Sequence, residues 1–201
     1  MYNGISNIFK DIPQNEKIKI RNQYASGQEF FLFIGSLHKR KNIGNLLLAF
    51  DLYKKEHLEV ENKLIIIGHK KWLDKKTENN FKKMTFKKDV IFLGRMKDDT
   101  MKLILSSAKA LVFISIFEGF GLPIIEAMKS GVPVITSNTS AMPEIAGNAA
   151  LIVDPHNIND IAEAIQKIDT SEQLRNNLIK KGKERVEFFD WQTTSNEIIE
   201  I

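Results

Sequence analysis

Six short apolar runs punctuate the chain, at residues 29–35, 63–68, 89–94, 110–115, 132–136 and 150–153. Their Ile, Val, Leu and Phe residues stand on consecutive positions. Strands covered on both faces show this continuous pattern, whereas strands with one wet face alternate. Between the runs the spacing changes. After the first, Ile43, Leu46, Leu47, Phe50 and Tyr53 fall on one helical face and Lys54, Lys55 and Glu56 fall off it, as in an amphipathic helix. Strand and helix therefore alternate, which predicts a doubly wound α/β domain. Its Rossmann-like parallel sheet is covered on both sides and takes its ligand beyond the carboxyl ends of the strands.

End signals place the other helices. Asp98 stands ahead of one at 100–108, Pro123 opens one that runs through Met128, and Asn157 precedes one at 158–168. Two more close the chain, at 171–188 and 193–201. The first 28 residues lack a strong period and contain Asn3-Gly4, Pro13 and Gly27, so they read as a linker or as an arm packed on the domain. No repeat or low-complexity tract interrupts this plan.

Composition narrows the chemistry. With 43% hydrophobic and 27% charged residues, the 201-residue chain can bury a core of ordinary size. The absence of cysteine excludes disulfides, thiolate metal sites and a Cys nucleophile, and fits a reducing, cytoplasmic setting. No apolar run reaches the length that spans a bilayer, and no secretion signal opens the sequence. The net charge of +4 resides largely in lysine pairs, such as Lys75-Lys76, Lys82-Lys83 and Lys87-Lys88. These read as solvated helix faces or as a surface for anionic lipid, with peripheral membrane contact; no nucleic-acid-binding motif is present. His38, His57, His69 and His156 are scattered without ligand spacing, and Glu144 reads as a capping or packing residue.

Two segments carry candidate chemistry. The first runs from Phe117 to Met128, Phe-Glu-Gly-Phe-Gly-Leu-Pro-Ile-Ile-Glu-Ala-Met, directly after a strand. Gly119 and Gly121 free the backbone for close approach and Pro123 presets a helical turn. Unpaired N–H groups then face the crevice and can seat phosphate or sugar oxygen. Glu118 and Glu126 flank this helix start. Beside an anionic ligand a carboxylate serves only as an acceptor from hydroxyls, so the pair indicates a ligand with both hydroxyls and phosphates, such as a sugar nucleotide. A tight, capped turn with no ligand is the plainer reading of the same residues. The second segment is the turn from Gly35 to Asn42, where Asn42 is expected to cap a helix and Arg40 and Lys41 to sit exposed at its start. There they attract a diphosphate or simply form a basic turn. On that reading Lys41→Ala weakens binding far more than it destabilises the fold.

Taken in order, Gly35 with Arg40-Lys41-Asn42, Ile65-Ile66-Ile67-Gly68, Val90-Ile91-Phe92-Leu93-Gly94, Glu118-Gly119-Phe120-Gly121-Leu122-Pro123 with Glu126-Ala127, and Met142-Pro143-Glu144 through Ala150 resemble the group 1 (family 4) glycosyltransferases. The wording is similar to that of bacterial polysaccharide mannosyltransferases. Many members carry Arg where this chain has Ser36. The resemblance implies one half of a GT-B fold, divided here into a linker or arm at 1–28, a nucleotide-sugar-binding domain at 29–188 and a terminal helix at 189–201. It also implies a missing amino-terminal acceptor domain.

The activity so implied is retaining transfer from a nucleotide-diphospho-sugar, GDP-mannose favoured, to a glycan or lipid-linked acceptor, with no metal and no cofactor. By resemblance, Arg40 and Lys41 neutralise the diphosphate, Glu118 with the backbone of Phe120 and Gly121 holds the sugar, Leu122 N–H faces the phosphates, and Glu126 holds the ribose. The main chain at Arg95 and Met96 meets the base. A non-catalytic nucleotide-sugar-binding module or partner subunit is the alternative. An NAD-dependent dehydrogenase is disfavoured because neither Gly35 nor Gly68 opens a Gly-x-Gly-x-x-Gly run.

Overall fold

The computed structural model describes residues 4–6, 8–69 and 74–189. Six strands, β1 (Phe30–Ile34), β2 (Lys63–Ile67), β3 (Val90–Gly94), β4 (Ala110–Phe113), β5 (Val134–Ser137) and β6 (Leu151–Val153), form a parallel sheet in the order β3-β2-β1-β4-β5-β6. This is the strand order of dinucleotide-binding domains, in which the chain reverses direction across the sheet between β1 and β4. Every residue of β1 is buried, and Phe31 lies beside Leu64 on one side and Ala110 on the other. The apolar runs are thus strands, covered on both faces in β1, β4 and β5 as their pattern predicts, whereas the edge strands are less covered: β3 is largely half-buried and β6 exposes Ile152.

The helices are α1 (Gln14–Ala25), α2 (Ile43–Glu56), α3 (Lys75–Lys83), α4 (Asp98–Ser107), α5 (Leu122–Lys129), α6 (Met142–Ala146), α7 (Ile158–Thr170) and α8 (Glu172–Val186). Leu46, Leu47, Phe50 and Tyr53 of α2 are buried, and this helix packs between α3 and α7. On α5 the apolar positions Ile124, Ile125, Ala127 and Met128 are buried, with α6 and α8 beside it. Asn157 caps α7 as expected, its side chain accepting from the N–H groups of Asn159 and Asp160 at 3.1 and 3.3 Å. Gly68 is dictated by the sheet: a Cβ there would stand 2.0 Å from the carbonyl oxygen of Gly35.

Of the two readings of the residues before β1, the packed arm fits the structure: α1 packs on α4, and Ile5, Phe9, Ile20 and Ala25 join the core. Two local expectations need correction. Asp98 is the first residue of α4 and not its cap, a position held by Lys97. Asn42 holds the N-cap position of α2, as expected, in a left-handed conformation, φ 60°, but its side chain accepts no cap hydrogen bond; its amide donates to the carbonyls of Ile114 at 3.2 Å and Pro155 at 2.6 Å. The helix expected at 193–201 lies outside the described residues.

The amino edge of the sheet is closed by compensated charge. Lys109 pairs with Glu29 and Asp169, each at 2.5 Å, and Asp169 accepts from Tyr53 at 2.7 Å; Lys54 and Lys63 converge on Asp89 at 3.0 and 2.5 Å. Among the described residues, no helix is long and apolar enough to cross a membrane.

Candidate active site

The reversal of strand order leaves a crevice above β1 and β4 where the loops that follow them diverge, the place at which open α/β sheets bind ligands. Both candidate segments are those two loops. They are stitched together, since Ile116 N–H donates to the Arg40 carbonyl at 2.7 Å and Arg40 Nη1 donates to the Phe117 carbonyl at 3.0 Å. Gly121 permits the turn into α5 with φ 103°, a conformation that L side chains rarely adopt.

Within this frame Arg40, Lys41 and Glu118 meet. Lys41 Nζ lies 2.5 Å from Glu118 Oε1 and Arg40 Nη1 lies 2.9 Å from Oε2. Lys41 is not the exposed turn cation expected above: only 7% of it is accessible, and its ammonium sits 4.8 Å from the centroid of the Phe113 ring. Arg40, by contrast, keeps about half of its side chain in solvent. Burial pushes the Glu118 carboxyl up, but the hydrogen bonds from Lys41 and Arg40 outweigh it and hold the carboxyl below its ordinary range. Burial pulls Lys41 below its usual value despite Glu118.

Glu126 has a different environment. It faces inward from α5, and burial, reinforced by the negative charge of Asp98, raises its carboxyl to about 7. Asp98 also lines a cleft of about 320 Å³ above β1, β2 and β3, together with Gly35, Ser36, His69, Arg95 and Met96. The structure therefore brings Arg40, Lys41 and Glu118 into one cluster, and Arg95 and Met96 into the neighbouring cleft. Phe120 turns its ring onto Phe189, edge to face at 5.9 Å, and Leu122, the first residue of α5, remains 43% exposed. Ser115, Asp98 and Ser140 were not legible as neighbours of these glutamates. Ser140, whose hydroxyl accepts from the Glu118 N–H at 3.2 Å, carries as its one local signal a polar Ser-Asn-Thr-Ser run after an apolar strand.

The family profile described as glycosyl transferases group 1 matches residues 14–185. The chain belongs to the group 1 glycosyltransferases. Among curated relatives of this glycosyltransferase, O-antigen chain mannosyltransferase B of Escherichia coli is 32% identical over 172 residues, covering 86% of the chain and 45% of the relative. The chain thus spans less than half of that protein's length. Solved glycosyltransferase structures share its fold. Anabaena HepE, solved with UDP and glucose, superposes on the whole chain and 55% of its own with a TM-score of 0.85 at 20% identity. The C-terminal domain of the group 1 protein LpcC from Francisella tularensis matches 92% of this chain and 97% of its own length, with a TM-score of 0.78 at 21% identity. The glycosyltransferase fold here is that of one half of a GT-B enzyme.

Proposed function

We propose that this domain binds a nucleotide-diphospho-sugar, GDP-mannose in preference, and presents it to a glycan or lipid-linked acceptor held by a second domain, for transfer with retention and without metal. The carrying observation is the convergence of Arg40, Lys41 and Glu118 with the start of α5 at the reversal of strand order. The names of the mannosyltransferase relatives support the donor, and the UDP complex of a similarly folded protein supports a nucleotide ligand.

Magnitudes suggest how the cluster works. A half-exposed ion pair such as Arg40–Glu118 is worth about 0–1 kcal/mol, so Arg40 can exchange Glu118 for a diphosphate at little cost while its guanidinium, with five N–H donors, keeps the Phe117 carbonyl. Lys41 is held in place, but its ammonium has three donors and can keep Glu118 while reaching a phosphate oxygen. Both cations, with the first N–H groups of α5 including that of Leu122, stabilise charge developing on the leaving diphosphate. Glu118, relieved of Arg40, accepts from sugar hydroxyls beside the backbone of Phe120 and Gly121. Glu126 accepts from the ribose, and the Arg95–Met96 main chain borders the base. Lys75, Lys76, Lys82, Lys83, Lys87 and Lys88 are exposed along α3 and the turn after it, which supports peripheral contact with an anionic membrane from the cytoplasmic side.

Calorimetry with GDP, UDP and GDP-mannose in EDTA tests the reading. Binding is expected to persist under chelation, with GDP tighter than UDP. Arg40→Ala is expected to lose about tenfold to a hundredfold, the worth of one charged hydrogen bond. Loss of all nucleotide affinity in EDTA overturns the cationic clamp, and a preference for UDP overturns the donor assignment.

A further inference from the structure

Loops are ordinarily held by their own backbone or by water, yet the segment that delivers Glu118 is held by side chains at every step. Six consecutive carbonyls accept from six different side chains. Thr136 Oγ1 donates to Phe113 at 2.8 Å, Asn42 Nδ2 to Ile114 at 3.2 Å, Ser137 Oγ to Ser115 at 2.6 Å, Thr139 Oγ1 to Ile116 at 3.0 Å, Arg40 Nη1 to Phe117 at 3.0 Å, and Ser140 Oγ to Glu118 itself. Four of these donors come from β5 and the loop after it; the other two come from the turn after β1. The segment is thus templated from both sides of the strand-order reversal.

Backbone conformation adds a second, independent observation. Among the described residues, the non-glycine residues with positive φ are Ser26, Asn42 and Ser140. Ser26 ends a helix, where such a conformation is common. Asn42 and Ser140, with φ of 60° and 59°, instead carry two of the six donors, to Ile114 and Glu118. Glycine would adopt that backbone without strain but has no side chain to donate. Strain kept by a residue whose side chain has a task points to that task.

At Ser140 the task is unusually specific. Its hydroxyl accepts from the Glu118 N–H and donates to the Glu118 carbonyl, so it grips the one residue whose carboxylate joins Arg40 and Lys41. We infer that Ser140 is a positioning residue, fixing the backbone of Glu118 so that its carboxylate is pre-aimed at the two cations and, resting on the function proposed above, at the donor sugar. Preorganisation of this kind matters because a group free to wander must be reordered each time it is used.

The test needs no ligand, so it can fail independently of the donor assignment. In the 201-residue chain, the carboxyl carbon of Glu118 is followed by NMR through an acid titration, which reads how firmly Lys41 and Arg40 hold it. Ser140→Gly removes the hydroxyl and also the left-handed strain, so a purely structural serine would be replaced with no change in the titration and unchanged or higher stability. The expected result is a Glu118 midpoint shifted upward toward the ordinary carboxylate range in a protein that still melts cooperatively. Thr136→Val, which removes the rung farthest from the carboxylate, should leave the midpoint in place. An unmoved midpoint in Ser140→Gly overturns the inference. So does an equal shift in Thr136→Val, or a Ser140→Gly protein that does not fold, since the hydroxyl would then serve the fold at large. GDP and GDP-mannose titrations of the same proteins test the donor assignment separately.

Discussion

Replacing Lys41 by Met separates the two cations that share Glu118. Met retains the buried stem and removes the ammonium, so Glu118, with about a tenth of its side chain accessible, keeps only the Arg40 partner at 2.9 Å. Removing one member of a buried ion pair costs about 3–5 kcal/mol. Loss of the ammonium over Phe113 adds about 0.5–1 kcal/mol, while the surviving Arg40 contact offsets up to about 1 kcal/mol. The net expectation is a destabilisation of roughly 3–6 kcal/mol. With a urea slope of about 2–3 kcal/mol/M for a domain of this size, the unfolding midpoint falls by about 1–3 M. Arg40→Met, which removes a half-exposed cation, should shift it by less than about 0.5 M. Adding Glu118→Gln to Lys41→Met should recover part of the loss, because the stranded charge goes with it. If Lys41→Met and Arg40→Met shift the midpoint equally, burial does not set the strength of the pair and the division of labour proposed for the two cations falls.

Three further outcomes are expected. Glu126, raised to about 7 from 4.5 by burial and by Asp98, favours the folded state most while protonated. Its contribution is full below about pH 4.5 and is lost as pH rises through 7, by up to about 3 kcal/mol; melting across pH 4 to 8 should show this slope, and Glu126→Gln should flatten it. Gly68→Ala drives a Cβ into the Gly35 carbonyl and should prevent a cooperative native fold, visible as a lost melting transition. Residues 1–201 alone should bind donor without measurable transfer, because positioning of the acceptor can supply roughly 7–11 kcal/mol of a barrier; robust turnover to an added acceptor would refute this.

The sheet was legible because parallel strands buried on both faces cannot conceal themselves: β1 is Phe-Phe-Leu-Phe-Ile and β2 ends in Ile-Ile-Ile. Helix α1 was not, since only Ile20 and Ala25 of its 12 residues are buried and the remainder are mostly polar. Helix α6, five residues long, offers too few turns for a period. At the site, residue types and loops could be read from glycine, proline and charge, but burial could not. Lys41 is withdrawn from water by a carboxylate and a phenyl ring delivered from distant β4 and its loop, and Asn42 spends its side chain on carbonyls that only the tertiary fold brings near. Local sequence reports what a residue can do; long-range contacts decide which of those options it uses.

The backbone hydrogen bond from Ile5 N–H to the Phe189 carbonyl, 2.9 Å long, joins the two extremes of the described chain. The described chain therefore begins and ends at one spot, as two ropes run through a single shackle. A tension applied across residues 5 and 189 would peel that bond first instead of loading the β-sheet in shear, so the domain should open mechanically from this corner while the crevice above β1 and β4 stays intact.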